Sequence, residues 1–540
     1  MMTKWQSKEQ LTELTISLVE YASVTGSEEE IGIMEFIEYE LSKIGYFKNY
    51  SDHLHTHYTE DGRKFVTALV KSKKPTGKTI ILMGHLDVVD IEGYGEWKHL
   101  AFRPRELTKQ MLEQAYQLPA TVQEDLKTDE WLFGRGTMDM KGGVALCLSM
   151  IELAAEGYFE GNLLFVGVPD EEVDSAGMRS ATPVLVEYEE KYNLKYILCW
   201  NTEPGFSKYP GDNSYYIYQG SIGKMLPGFY CYGKEAHVAE PFSGLNGNFM
   251  ASVLTSIIEL NPLLTEQAGN ERTPPPSTLI QKDLKTDYSV QIPLTAVSVY
   301  NLLTMEKSVD EVTNDLLKVA RSAAKKMLAI YEDREKAFSN NLDYEPENRK
   351  VNVMTYKELW NQALRITGKE DVERLISLVH STDALADERQ RTIQIVNHIA
   401  ALCKELTPMI VLFYAPPYYP PVSSKKNTFV EELTRKLTHI AKQEGNVNLE
   451  TVQYFPGLSD LSYTSLEEPA SKLNTLIENM PVWGQGYNLP LEAMEKLNMP
   501  VINFGPAGKD PHSWTERLNI TQSFGKFPEI MKKGLEEAFK

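Results

Sequence analysis

Apolar residues recur along the chain with two spacings, one typical of helices and one typical of buried strands. Residues 7–22 and a segment that begins at Ser27 carry apolar side chains three and four positions apart, which predicts two amphipathic helices. The sequence of residues 141–156 predicts a third helix. Short apolar runs of strand length lie at Phe65–Val70, Thr79–Met83, Leu163–Val168 and Tyr196–Trp200. Because uninterrupted apolar runs indicate strands buried on both faces, the alternation predicts an α/β fold with a mixed, mostly parallel sheet flanked by helices.

The pattern changes after about residue 214 and returns after about residue 418. The intervening part contains a long amphipathic helix at Val309–Tyr331 and a mostly charged, helical stretch at 332–405. A strand-like run at Pro408–Ala415 meets a proline-rich segment, which predicts a turn. We therefore predict one α/β domain, formed by residues 1–214 and 419–540, with a smaller α+β domain inserted at residues 215–418.

Composition narrows the class of protein but not its chemistry. The 540 residues are 42% apolar and 24% charged, values typical of soluble proteins with more than one domain. A net charge of −20 and a pI near 5.1 argue against nucleic acid or an anionic membrane as a partner. The first residues lack the apolar core of a secretory signal, and no run comes near the roughly 18 apolar residues of a membrane span. We expect a cytoplasmic protein.

The four cysteines lie far apart in sequence, at Cys147, Cys199, Cys231 and Cys403. No CxxC pair is present, so neither a thiolate zinc site nor a redox motif is predicted. We expect plain buried thiols in a reducing compartment.

Candidate chemistry begins with a histidine that follows a buried strand. His85 comes just after the run Thr79–Met83 and is followed two residues later by Asp87. This spacing suits a metal ligand whose second ring nitrogen is held by a carboxylate. A hydrogen-bonded structural His–Asp pair explains the same two residues, so this segment alone decides nothing.

Two further segments are unusual in composition: one is rich in glycine, and the other is a run of three acidic residues. Asp139 lies among the four glycines of Gly134–Gly143, which imply an unusual backbone path. The alternative is a glycine-rich turn in which Asp139 caps a helix. Asp170, Glu171 and Glu172 follow a predicted strand, and adjacent acids repel one another unless a cation or a proton intervenes. A solvated acidic loop is the alternative there.

The last two segments also follow predicted strands. Glu203 comes after the run Tyr196–Trp200, and His512 comes after the run Val501–Phe504. In open α/β sheets, functional groups gather at the carboxyl ends of the strands. Together the five segments therefore predict a metal centre with His and carboxylate ligands and one carboxylate left as a base.

In this order, the five segments resemble the zinc-dependent amidohydrolase and exopeptidase family that contains aminoacylase, acetylornithine deacetylase, succinyl-diaminopimelate desuccinylase and glutamate carboxypeptidase. The family's Gly-His-x-Asp-Val-Val, Gly-Arg-Gly-x-x-Asp-x-Lys-Gly-Gly, Asp-Glu-Glu and Glu-Pro motifs and its late His followed by Glu are present. The insert resembles the family's His-x-x-x-Pro-x-x-Gly-x-Asn element at residues 237–246. The length and the segments Phe455–Asp460 and Met480–Tyr487 resemble the arginine-utilisation, or RocB-type, branch.

The resemblance implies two metal ions that share one carboxylate. Asp139 would bridge the ions. His85 and Glu203 would complete one site, and Glu172 and His512 would complete the other. Zinc is expected, with cobalt and manganese as alternatives because the same ligands tolerate them.

The resemblance also implies the catalytic and substrate-binding residues. Asp87 would orient the first histidine ligand, and Glu171 would be the general base that takes a proton from the attacking water and returns it to the leaving amine. His237 would stabilise the oxyanion, and in many relatives this histidine reaches across from a partner subunit. Asn246 and Asp460 would line the substrate pocket. The inserted domain would serve as a lid and as the face of a homodimer.

Two features depart from the family pattern. Relatives often carry Asp-x-Arg at the strand that matches 296–303, where the arginine holds a substrate carboxylate; here Tyr300–Leu303 contains no arginine. A carboxylate bound in that way is therefore not expected, and an arginine-derived or otherwise cationic substrate is a hypothesis. The helical stretch at 332–405 has no counterpart, and it would either reshape the dimer face or cover the site.

Outside the family pattern, His53, His55 and His57 alternate in sequence. On a strand they would share a face and could bind a metal. The polar face of an edge strand explains them as well.

Three hypotheses follow. The leading one is a two-metal amidohydrolase that acts on a small amino-acid derivative or a dipeptide. The second is a protein that keeps the metal but only binds or regulates, which an intact base at Glu171 argues against. The third is an aminopeptidase that acts on longer peptides.

Overall fold

The computed structural model describes residues 4–206, 208–209, 212, 214–285, 287–339, 349–382 and 387–540. The chain forms two compact units. The larger unit comprises Met1–Ile222, Pro421–Glu467 and Pro490–Lys540, and the smaller unit comprises Gly223–Pro420 and Glu468–Leu489. The division differs from the predicted one in three places. Residues 215–222 lie in the larger unit, where 215–218 join its main sheet. Residues 419–420 and 468–489 lie in the smaller unit.

The first part of the larger unit alternates helices and strands. Ser7 caps the first helix, and Gln10 completes the capping box. The helices are α1 (Lys8–Val19), α2 (Glu29–Ser42), α3 (Gly45–Asn49), α4 (Pro104–Glu113), α5 (Ala120–Asp125), α6 (Gly142–Glu156) and α7 (Ala176–Tyr192). The strands are β1 (Leu54–Tyr58), β2 (Lys64–Val70), β3 (Lys78–His85), β4 (Trp131–Phe133), β5 (Asn162–Val168), β6 (Lys195–Asn201), β7 (Tyr215–Tyr218) and β8 (Gly220–Ser221).

The smaller unit is built on a five-stranded sheet in the order β12-β13-β9-β15-β14. Its strands are β9 (Gly223–Tyr232), β10 (Gln267–Ala268), β11 (Glu271–Arg272), β12 (Ser277–Asp283), β13 (Thr295–Thr304), β14 (Asn352–Thr355) and β15 (Met409–Tyr419). Its helices before residue 420 are α8 (Gly247–Ile258), α9 (Val309–Ser339), α10 (Tyr356–Thr367), α11 (Lys369–Thr382) and α12 (Glu388–Ala401).

The C-terminal part returns to the larger unit, except for one short helix. The helices are α13 (Thr428–Gly445), α14 (Asn474–Glu478), α15 (Leu491–Leu497) and α16 (Phe527–Phe539), of which α14 belongs to the smaller unit. The strands are β16 (Val422–Ser423), β17 (Leu449–Val452), β18 (Val501–Asn503), β19 (Gly508–Lys509) and β20 (Arg517–Asn519).

The main sheet of the larger unit has eight strands in the order β1-β2-β5-β3-β6-β18-β7-β17. Four of its pairings are parallel, and they include those that join β5, β3, β6 and β18. The central strands are buried along almost their whole length, and α1, α6, α13 and α16 pack their apolar side chains into the same core. The predicted fold class, a mixed sheet flanked by helices with an inserted α+β domain, is confirmed.

One local prediction in the smaller unit was wrong, and one strand there was not predicted. β15 does not stop before the predicted proline turn but runs through Pro416 and Pro417 to Tyr419. Its pairing with β9 shifts register between Ala415 and Tyr419, so the prolines lie where no regular ladder N–H is needed. The polar stretch after residue 262 also contains an edge strand, β12, whose mixed burial hid it from the apolar pattern.

The four cysteines are buried and form no disulfide. In the described parts of the chain, no helix combines the length and the apolar character needed to cross a membrane.

Candidate metal centre

The centre lies at the carboxyl ends of three neighbouring strands of the larger unit. β3 ends at His85 and pairs in parallel with β5 on one side and β6 on the other. Glu171 and Glu172 follow the end of β5, and Glu203 follows the end of β6. Because parallel strands end at the same edge, the sheet itself brings these four side chains together.

Asp139 reaches the same place from the glycine-rich segment before α6. Gly136 has a φ of +79°, a conformation that side chains rarely adopt. Gly143 opens α6 against the end of β6, where an added Cβ would lie 2.3 Å from the carbonyl oxygen of Thr202. The glycines therefore serve a close approach of this segment to the strand that precedes Glu203.

His85 is the centre of one group of ligands. Its Nε2 lies 3.1 Å from Glu203 Oε1 and 3.2 Å from Asp139 Oδ1, while Glu171 Oε2 is more distant at 3.9 Å. The ligand atoms of His85, Glu171 and Glu203 all lie within 4.8 Å of one another, as do those of His85, Asp139 and Glu172.

The second carboxylate oxygen of Asp139 faces another histidine. Asp139 Oδ2 lies 3.3 Å from His512 Nε2, which in turn lies 3.1 Å from Glu172 Oε2. Asp139 thus directs one oxygen to each imidazole, the arrangement expected of a bridging ligand. The predicted ligands His85, Asp139, Glu172, Glu203 and His512 are all within this one cluster.

Asp87 holds the other side of His85 and the acidic loop. It is fully buried, and its carboxylate accepts hydrogen bonds from the backbone N–H groups of Glu171 (3.1 Å) and Glu172 (3.2 Å) and from the Thr25 hydroxyl (2.9 Å). His85 Nδ1 lies 3.0 Å from the Asp87 carbonyl oxygen and 3.5 Å from its carboxylate. Burial alone would raise the pKa of Asp87, but the hydrogen bond and charge of His85 lower it.

Sequence reasoning gave no role to a buried ion pair that ties the ligand-bearing loops together. Arg135 Nη1 lies 2.6 Å from Glu516 Oε2, and both side chains are almost fully buried. Glu516 Oε1 accepts from the backbone N–H groups of Met138 (3.2 Å) and Asp139 (3.3 Å). Arg135 donates to the carbonyl oxygens of Asp90 and His512, at 3.2 Å each. Arg135 and Glu516 both lie in segments that resemble the family motifs. That position was the sequence signal that could have identified them.

The electrostatics of the centre call for added positive charge. Burial raises the pKa of Glu203 to about 8, although His85 opposes the shift. Burial likewise raises the pKa of Glu171 well above its usual range. The hydrogen bonds that the His512 ring donates to the carboxylates of Asp139 and Glu172 raise the pKa of His512 to about 10. Buried carboxylates crowded around two imidazoles fit a pair of divalent cations, which would favour the ionised carboxylates.

Two predicted residues lie in the smaller unit. His237 is exposed, and its Nδ1 accepts a hydrogen bond from the N–H of Ala239 (3.1 Å), so the ring hydrogen is carried by Nε2. Asn246 caps α8, because its side-chain oxygen accepts from the N–H of Asn248 (2.8 Å) and of Phe249 (3.4 Å). That structural role accounts for the oxygen of Asn246 without a substrate.

The three alternating histidines lie at the far edge of the main sheet. His53 belongs to a turn, and His55 and His57 lie on the edge strand β1. His55 contacts the hydroxyl of Tyr192 (3.2 Å), and His57 contacts that of Tyr188 (3.1 Å). Burial lowers the pKa of His57 to about 4. Tyrosine hydroxyls, and no cluster of acids, face these rings among the described residues.

Comparison with known proteins agrees with this geometry. Residues 81–500 match peptidase family M20/M25/M40. The uncharacterized protein YqjN of Bacillus subtilis (strain 168) is 46% identical over 527 residues, which cover 98% of this chain and 96% of YqjN. Protein RocB of the same organism is 30% identical over 538 residues, which cover 97% of this chain and 94% of RocB. The second match confirms the resemblance to the RocB-type branch.

The fold has a solved counterpart. The aminopeptidase PepT from Bacillus cereus ATCC 10987 aligns with a TM-score of 0.53 at 12% identity, covering 99% of this chain and 100% of PepT. A likeness at this identity concerns the fold, whereas the sequence match over residues 81–500 concerns the family itself. The chain therefore belongs to peptidase family M20/M25/M40 and is a metal-dependent hydrolase of amide bonds.

Proposed function

We propose that the protein is a two-metal amidohydrolase that cleaves an amide bond of a small amino-acid derivative or a dipeptide. The observation that carries the proposal is the position of Asp139. Its two carboxylate oxygens lie 3.2 Å from His85 Nε2 and 3.3 Å from His512 Nε2, so one residue serves both groups of ligands.

Two divalent ions would be held by His85, Asp139 and Glu203 on one side and by Asp139, Glu172 and His512 on the other. Imidazole and carboxylate ligands without thiolate suit zinc, and cobalt and manganese as well. When bound, such ions lower the pKa of water and polarise the substrate carbonyl.

Glu171 is the group of this chain that moves the proton. Its carboxylate belongs to the same buried cluster but is farther from His85 than that of Glu203, 3.9 Å against 3.1 Å. Its backbone N–H is held by Asp87, so the side chain is positioned by a rigid neighbour. Glu171 would accept a proton from the attacking water and pass it to the leaving amine.

The smaller unit would serve as a lid and as the face of a homodimer. His237 supports this role, because it is exposed and carries its ring hydrogen on Nε2, where it could donate to the oxyanion of the tetrahedral intermediate.

A role in arginine utilisation belongs to the same proposal. It is supported by the 30% identity with RocB over nearly the whole chain and by the lack of an arginine within Tyr300–Leu303. We also propose a cytoplasmic location, which four buried, unpaired thiols support.

Substitution of the base tests catalysis separately from binding. In Glu171→Gln, we expect kcat to fall by roughly 100- to 10,000-fold, because the proton acceptor is lost while the ligands remain. Metal content, measured by elemental analysis, should stay at the wild-type value. Glu187→Gln is the matched control, since Glu187 is exposed on the helix that follows the same loop. Unchanged turnover in Glu171→Gln would reject the mechanism and favour a binding protein.

Substitution of the buried ion pair tests how the centre is held. In Glu516→Gln, the weakened hold on the Asp139 backbone should lower metal affinity by roughly 10- to 100-fold. Competition with a chromogenic chelator measures this affinity. The control is Glu335→Gln, which disrupts the buried pair of Glu335 with Arg349 (2.7 and 2.9 Å) in the smaller unit. The control should lose thermal stability but keep its metal, and equal metal loss in both variants would contradict the assignment.

Mixing two inactive variants tests the dimer and the position of His237. Glu171→Gln and His237→Ala should each be inactive. If the histidine acts across a two-fold dimer, exchange of subunits should restore about a quarter of wild-type activity, because half of the dimers then contain one complete site. Sedimentation should show a dimer. No recovery in a demonstrably mixed dimer would place His237 in its own chain's site.

A further inference from the structure

An arginine outside the motifs of the metal centre holds the acidic loop that carries Glu171. Arg63 lies at the end of the turn between β1 and β2. Its Nη1 is 2.6 Å from Oδ1 of Asp170, the residue directly before Glu171. The side chain of Asp170 is 3% exposed, and that of Arg63 is 17% exposed. The ion pair is therefore largely shielded from water, and loss of the arginine would leave a buried carboxylate without its counterion.

Asp170 organises the loop between β5 and α7. Its carbonyl oxygen accepts from the backbone N–H groups of Asp174 (3.2 Å) and Ser175 (2.6 Å), and its Oδ2 accepts from the N–H of Ala176 (2.9 Å) at the start of α7. The residue has a φ of +69°, in the left-handed region that a residue with a side chain rarely adopts. Because this conformation is unfavourable by itself, the contacts around Asp170 have to maintain it.

The guanidinium of Arg63 is fixed by two further acids. Its Nε and Nη2 lie 3.0 and 2.5 Å from Oδ2 of Asp61 in the same turn. Its Nη1 also lies 3.5 Å from Oε2 of Glu30, an α2 residue whose side chain is 1% exposed. The same oxygen of Glu30 accepts from the N–H of Gly26 (2.6 Å), which holds this acid in place. Each of the three guanidinium nitrogens thus has an acid partner, so the orientation of the guanidinium plane is set.

Arg63 and Asp87 support the loop from two different strands. Asp87, after β3, accepts from the backbone N–H groups of Glu171 (3.1 Å) and Glu172 (3.2 Å). Arg63, before β2, holds the side chain of Asp170. The two contacts act on consecutive residues, so the backbone that leads into Glu171 is held from both sides.

We propose that Arg63 is a positioning residue for the general base: it holds Asp170 and thereby sets the direction in which the Glu171 carboxylate meets the attacking water. This inference rests on the proposed function, in which Glu171 moves the proton. The guanidinium binds Asp61, Glu30 and Asp170, so it acts on the base through the loop and not by contact with the substrate. Because misalignment of a catalytic group slows the chemical step, the contribution of Arg63 is expected in kcat and not in KM.

Removal of the guanidinium tests this role. In metal-loaded Arg63→Ala, we expect kcat to fall by roughly 10- to 100-fold, because the base is no longer aligned with the attacking water. KM and the metal content should stay close to the wild-type values, since the metal ligands and the substrate-binding groups are retained. Activity is measured with a dipeptide, at a temperature at which circular dichroism shows that the variant is folded.

Lys64→Ala is the matched control. Lys64 follows Arg63 in the chain, its side chain is also 17% exposed, and its ion pair is with Glu35 of α2 (2.6 Å) and not with the acidic loop. The control should keep its kcat. Arg63→Lys retains the charge but not the planar set of donors, so it should restore part of the kcat that Arg63→Ala loses. If Arg63→Ala does not fold, Arg63→Lys takes its place, and a smaller fall of kcat is expected there.

A double substitution separates positioning from a general weakening of the fold. When Arg63→Ala is combined with Glu171→Gln, we expect the same residual activity as in Glu171→Gln alone, because the group that Arg63 positions is absent. A residue that only stabilises the fold would lower activity by the same factor in both backgrounds.

The outcomes separate this inference from the proposed function. A wild-type kcat in folded Arg63→Ala, or in Arg63→Lys where the alanine variant does not fold, would overturn the inference and leave the amidohydrolase intact. A further loss of equal size in the double variant, or loss of metal from Arg63→Ala, would also overturn it, because Arg63 would then support the fold or the ligands. Full metal loading of wild type without hydrolysis of any amide would instead overturn the proposed function.

Discussion

Buried negative charge at one edge of the main sheet is the constraint on which the rest of the larger unit depends. Asp87, Asp139, Glu171, Glu203 and Asp460 are each less than a tenth exposed. Ionised carboxylates are stable in such a place only when they are paired, hydrogen-bonded or bound to metal. Asp87 is satisfied by backbone and hydroxyl donors. The carboxylates around His85 and His512 instead crowd about two imidazoles. Two divalent ions would offset this concentration of negative charge.

The sheet concentrates these charges because its central strands run in parallel. β5, β3 and β6 end side by side, so residues far apart in sequence meet without any long loop. The remaining parts arrive through local devices. Glycines let the Asp139 segment approach the end of β6, and the pair of Arg135 with Glu516 fastens that segment to the loop of His512. Rigid second contacts of this kind set ligand geometry as much as the ligands do.

Much of this could be predicted from the sequence. Apolar runs located the central strands, and the acidic and histidine residues directly after these runs located the metal centre. Both signals could be recognised because each depends only on a few neighbouring residues. The RocB-type branch was also recognisable from short segments. Other features were not predictable from local patterns. The pairing of Arg135 with Glu516 joins residues 381 positions apart, and the passage of β15 through two prolines depends on a register shift with β9.

The same limit applies to the smaller unit. Residues 468–489 lie between two segments of the larger unit yet join the smaller unit, and no change of composition marks this switch. β12 is an edge strand with mixed burial, so its sequence lacks the apolar run that identifies a central strand.

The metal content of the purified protein tests the central claim most directly. Elemental analysis should find about two divalent ions per chain in wild type, as a carboxylate-bridged pair requires, and both should be lost in Asp139→Ala because that residue serves both sites. Circular dichroism would verify that the variant is folded. Absence of metal from wild type after reconstitution with zinc, cobalt or manganese, or retention of both ions in folded Asp139→Ala, would contradict the account.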